Sequence, residues 1–193
     1  MLGVNGTNFA FLAWFVCPAV PVSGQVTLFE WSNDTDSSLF NIAFNSAGRL
    51  FFTSSTAAGS TGTVQHSTTL AAGELHLLQI YGTTTGVINC RIDAAASNTI
   101  PNANRWDTAF TVLMVGAKRD GTEYCDFLTG NLAAATNILD ATELTNTWNA
   151  GVPIDRTALI NGETCIVLFA NSLTATTGTV TWACGREPIF VAD

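Results

Sequence analysis

Short apolar runs recur along the whole chain, and clusters of Gly, Asn, Asp and Pro separate them at close spacing. The runs fall at residues 9–17, 25–31, 38–44, 49–54, 75–81, 86–93, 110–115, 123–131, 164–170, 177–184 and 188–191, and they are rich in Val, Ile, Phe and Thr. β-Branched and aromatic residues fit a pleated, half-buried surface, and turn residues at this spacing break a chain into many short strands. Asn45-Ser46-Ala47-Gly48 supplies hairpin chemistry between two of the runs. The pattern predicts an all-β, two-sheet antiparallel sandwich.

One helix interrupts the strands. Asp140 and Glu143 stand in the spacing of a capping box, Leu144 and Trp148 lie four apart on one face, and Gly151 suits a helix end. A short helix is expected over 140–149. The Ser/Thr/Gly/Ala tract 54–63 reads as a loop. No charge block or compositional shift divides the 193 residues, so 1–193 reads as a single domain.

Charge limits the partners. Seven basic and fifteen acidic residues leave a net charge of −8, and only 11% of the chain is charged. No Lys/Arg stripe exists to displace counterions from phosphates, so nucleic acid is not an expected partner. The longest apolar stretch, 9–22, holds Pro18 and Pro21 and is too short for a spanning helix; no Lys or Arg precedes Arg49. Neither a transmembrane segment nor a signal peptide is expected. The five cysteines form no CxxC motif or Cys/His cluster, so no structural zinc is expected; their apolar or β-branched neighbours argue for reduced core thiols, with Cys165–Cys184 the one plausible bridge.

Three stretches resemble the laminin G-like branch of the concanavalin A-like lectin/glucanase superfamily. They are Trp14-Phe15-Val16-Cys17-Pro18, then His76 followed by Val87 to Asp93, then Gly116-Ala117, Tyr124, Asp126-Phe127 and Gly130 leading to Trp148-Asn149-Ala150-Gly151. The resemblance implies a jelly-roll sandwich over roughly 9–151. Two departures stand out: Glu74-Leu75 replaces a tryptophan before the histidine, and Asp93-Ala94 replaces Asp-Gly. Because residues after Gly151 exceed the family pattern, 164–191 is expected to add C-terminal strands to the sandwich.

Enzymatic chemistry is poorly supported. The glucanases of this superfamily need two carboxylates on one strand face, and the nearest match, Glu30 with Asp34 and Asp36, lacks a second glutamate. His66 and His76 stand without a nucleophile motif, with His76 expected on a strand and bonded to a nearby loop. No metal or other cofactor is expected. Were calcium bound, as in many laminin G-like domains, Asp34 and Asp36 would be the better pair, ahead of Asp120, Glu123 and Asp126.

Two functional expectations follow. Charge-poor surfaces are inexpensive to bury, and together with the resemblance they suggest a non-enzymatic bacteriophage virion structural protein. Such a capsid decoration, head fibre or tail component would be made in the host cytoplasm and would assemble with itself or with other virion proteins. The alternative is a lectin-like module binding host glycan, calcium-dependent or not. There Trp31 and Trp106 would stack on sugar rings beside Asn33, Arg105 and Asp107.

Overall fold

In a computed structural model, the described residues are 9–33, 39–108, 110, 112–127, 129–135, 140–151 and 165–169. Eleven described strands form two antiparallel sheets. A six-stranded sheet has the order β11 (Cys165–Phe169), β10 (Thr129–Ala135), β1 (Ala10–Val16), β6 (Leu75–Gly82), β7 (Ile88–Ile92), β8 (Asn98–Ile100). The second sheet, of five strands, runs β5 (Thr61–Gln65), β4 (Leu50–Ser55), β3 (Leu39–Asn45), β2 (Gln25–Ser32), β9 (Val112–Val115).

Period-two alternation decides which side chains meet between the sheets. Phe11, Ala13, Phe15 and Cys17 on or beside β1 face Phe29, Trp31, Phe40, Ile42, Phe44 and Phe52 of the other sheet in one buried cluster. Aromatic edges interlock there, with Phe11 against Trp31 at 4.3 Å between ring centroids. Each large side chain fully buried in this way contributes roughly 1.5–3 kcal/mol.

The six-stranded sheet is apolar on its outer face too, since Leu12, Trp14 and Leu77 are fully buried. Helix α1 (Ala141–Trp148) lies against that face. Trp148 stacks on Trp14 at 5.7 Å, and Gln79 donates to the Leu144 carbonyl and the Thr147 hydroxyl at 2.9 and 2.7 Å. The expected capping box forms. The Glu143 amide donates to the Asp140 carboxylate at 2.8 Å, and the Asp140 amide to the Glu143 carboxylate at 2.9 Å.

The structure departs from the expected pattern in three places. Within the tract 54–63 only 56–60 turn: Ser54 and Ser55 end β4, and Thr61-Gly62-Thr63 opens β5, held by pairing with β4. Asn98–Ile100 forms an edge strand outside the expected runs. Residues 123–127 form no strand: Glu123 takes a left-handed φ of 52°, and β10 begins only at Thr129. Of the expected C-terminal strands, Cys165–Phe169 pairs with β10, while 177–184 and 188–191, with Cys184, lie outside the described residues.

Candidate functional site

The outer face of the five-stranded sheet differs from that of its partner. Cross-strand register lines up Thr63, Thr53, Asn41 and Glu30 in one row and Thr61, Ser55, Leu39 and Ser32 in the next. Hydroxyls join across the strands, Thr53 to Thr63 at 3.2 Å and Ser55 to Thr61 at 3.0 Å. Thr61 and Thr63 are exposed, whereas Asn41 and Ser55 lie low in the floor.

A β-bulge builds the inner end of this face. Thr27 pairs with Ala43 and Phe29 with Ile42, so Leu28 is an extra residue in β2. Both Leu28 and Phe29 reach the core, and Thr27 and Glu30, three residues apart, share the outer face. The Asn41 amide donates to the Thr27 hydroxyl and the Glu30 carboxylate, each at 3.2 Å.

The loop after β9 is tied down on the same residues. The Arg119 backbone amide donates to Glu30 at 2.9 Å, and Glu123 accepts from Thr27 at 3.0 Å, from Gln25 and from Lys118. Each buried or half-buried carboxylate is therefore satisfied by donors, as buried charge requires. Asp120 also closes on its own loop: hydrogen bonds from Thr122, chiefly from its hydroxyl, hold the carboxyl below the usual range. At the end of β9, an open pocket is lined by Val115, Gly116, Cys125, Asp126 and Phe127, and Tyr124 beside it is 70% exposed.

The stacking tryptophans proposed from the sequence are core residues, a correction to that expectation. Trp31 is 4% exposed and packs on Phe11, Phe29 and Phe40; Trp106 is fully buried against Phe9, Phe40 and Phe110. Neither offers a ring face to a sugar. Their neighbours serve the scaffold: Asn33 donates to Thr108 at 3.4 Å, half-buried Arg105 lies in the same segment as Trp106, and exposed Asp107 accepts the Ala57 amide at 2.7 Å. Asp34 and Asp36 lie outside the described residues. Among the described residues no three His, Cys, Asp or Glu side chains gather to hold a cation.

The histidines also belong to the frame. His76, on β6, bonds through Nδ1 to Asp93 at 2.8 Å; Asp93, just past β7, also accepts the Leu77 amide. The Nε2 of His76 faces Glu74 at 3.5 Å, so both ring nitrogens have a carboxylate neighbour. His66 is fully buried, and burial lowers its pKa.

Two antiparallel sheets packed face to face, with one short helix, define a jelly-roll sandwich of the concanavalin A-like kind. A heptameric SAP-like pentraxin from Limulus polyphemus has this architecture: 12% identity, TM-score 0.59, covering 86% of this chain and 82% of the pentraxin. The receptor binding domain of botulinum neurotoxin C/D mosaic serotype superposes with a TM-score of 0.61 at 8% identity over 76% of this chain. Mouse laminin α1 domains LG4-5 give 0.53 at 15% identity over 69%. The chain spans 37% of each of the last two. No family model matches the sequence, and no curated protein matches it. Among the described residues, no helix is long and apolar enough to cross a membrane.

Proposed function

We propose that this chain is a non-enzymatic recognition module that binds a neutral, hydroxyl-rich ligand of the glycan class on the outer face of its five-stranded sheet. The carrying observation is the hydroxyl and amide ladder from Thr63 and Thr53 to Asn41. Such a surface exchanges hydrogen bonds with sugar hydroxyls without stripping water from free charges. The satisfied carboxylates of Glu30 and Glu123 support binding over hydrolysis, which needs one acid held protonated and a second poised across the bond. A receptor binding domain among the structural neighbours accords with this reading.

A glycan array is the direct test. Binding to a neutral glycan is expected, and Thr53→Val with Thr63→Val should weaken it at least about tenfold, since each lost hydrogen bond costs roughly 1 kcal/mol. Binding unchanged in that variant, or absent across the array, would remove the proposal.

A second reading is favoured by the low charge content and by the apolar strand β9, where Val115 is 39% exposed. On that reading the module is a surface component of an assembled particle such as a bacteriophage virion. Sedimentation should then show an oligomer at micromolar concentration, and a monomer that ignores isolated capsids would exclude it.

A further inference from the structure

We infer that Arg91 anchors a second, separate binding site on the outer face of the six-stranded sheet, for a sugar that carries a carboxylate, such as a uronic acid. Ile88, Cys90 and Ile92 of β7 point into the core, so the intervening Asn89 and Arg91 point out. On β6 the same alternation sends Gln79 and Tyr81 outward, opposite Arg91 and Asn89 respectively. Asn89 pairs on its other side with Thr99 of the edge strand β8. Helix α1 is bonded to Gln79 and stacked on Trp14, over β6 and β1. Beyond it Thr99 is exposed, and Tyr81, Asn89 and Arg91 are half-buried.

The surroundings of Arg91 leave its charge unanswered. The chain has fifteen acidic residues against seven basic ones, yet among the described residues no carboxylate pairs with this guanidinium. Asp93, two positions along, turns its carboxylate to His76 and to the Leu77 amide, each at 2.8 Å. Gln79, directly across, spends its amide nitrogen on α1, and its Oε1 accepts nothing among the described residues. The Arg91 Nε is sealed from solvent and has no acceptor there either. A guanidinium partly withdrawn from water is costly without an acceptor. A carboxylate laid across its two terminal nitrogens offsets that cost best, because the planar fork matches two oxygens at once.

The neighbours choose the rest of the ligand. The Tyr81 and Ser97 hydroxyls lie 3.2 Å apart, so the pair uses one proton internally and keeps the other to donate outward. Asn89 adds an amide and Thr99 a hydroxyl. One cation ringed by neutral donors and acceptors matches one carboxylate ringed by hydroxyls. Arg91 is the only Lys or Arg on β6, β7, β8 or α1, so a dianionic phosphate would find no second cation in a chain of net charge −8. The site lies on the sheet opposite the hydroxyl ladder, and either can fail without the other.

The test is a titration of the full chain with glucuronate, glucose and acetate, followed through the arginine Nε–H signals in two-dimensional nitrogen–proton NMR spectra. The Arg91 signal is assigned by its loss in Arg91→Gln. Glucuronate should shift it saturably in the millimolar range, glucose should not, and acetate should bind several-fold more weakly for want of ring hydroxyls. Backbone signals of Asn89 and Ser97 should move with it. Ser97→Ala and Tyr81→Phe should each weaken glucuronate binding several-fold, and Arg91→Gln should weaken it at least about tenfold, read from those backbone signals. If Arg91→Gln does not fold, the unsubstituted chain and Ser97→Ala decide. No saturable shift with glucuronate, an equal response to glucose or acetate, or undiminished binding by folded Arg91→Gln would overturn the inference.

Discussion

Single residues show where chain order and spatial position part company. Trp31 and Trp106 sit among polar neighbours in sequence, yet both are core anchors. Alternation alone places Trp31 with Phe29, two positions away and inward-facing, and that signal outweighs the Asn and Asp that follow. Thr27 and Glu30 illustrate the opposite case: strict alternation separates them, and only the extra Leu28 in β2 puts them on one face. No feature of the β2 sequence marks that bulge, so the polar site could not be assembled before the strands were paired. Gly116 is a residue whose role follows directly from geometry. Its φ is 77°, and an added Cβ would lie 2.7 Å from the Cys125 carbonyl oxygen. Gly116→Ala should therefore cost about 1–3 kcal/mol, read as a lower midpoint in urea unfolding. An equal cost from Gly24→Ala, where φ is 68° but nothing lies within 4 Å, would show that backbone strain alone accounts for the loss.

Whole elements were legible in proportion to how local their cause is. The helix was readable because a capping box, an apolar pair and a terminal glycine act within a dozen residues, and the reciprocal Asp140–Glu143 bonds form as expected. β5 was not, because Thr61-Gly62-Thr63 carries no apolar alternation and owes its extended form to its partner β4. The same holds for β10, where Leu-Ala-Ala-Ala at 132–135 has weak strand preference but lies between β1 and β11. Since α1 has only eight residues, it depends on its cap and on its packing against the sheet. Asp140→Ala should cost about 0.5–2 kcal/mol, whereas Glu143→Gln, which keeps the reciprocal bond, should cost less. Denaturant unfolding of the two variants checks the order, and near-ultraviolet circular dichroism should register any disturbance of the Trp14–Trp148 stack.

For the molecule as a whole, the two outer faces differ in chemistry. Helix α1 and the Trp14 layer cover part of one, whereas paired hydroxyls mark the outer face of the five-stranded sheet. Stability of this sandwich should also depend on pH through His66. The ring is fully buried, touches Phe52 and accepts the Thr68 amide at 3.2 Å through Nδ1, so it must stay neutral there. Desolvation lowers its folded-state pKa, outweighing the opposing influence of the Ala96 backbone and Asp93. In the unfolded chain the same ring titrates near 6.5. Between the folded value and about 6.5 the unfolded state binds more protons, so stability rises with pH through that window. The contribution is present above about 6.5 and is lost as pH falls toward the folded value. Urea midpoints measured from pH 7.5 down to 5.5 should decline in the native sequence and flatten in His66→Gln, whose amide oxygen can replace Nδ1 as acceptor. An identical decline in both proteins would assign the acid sensitivity to other groups and end the argument for His66.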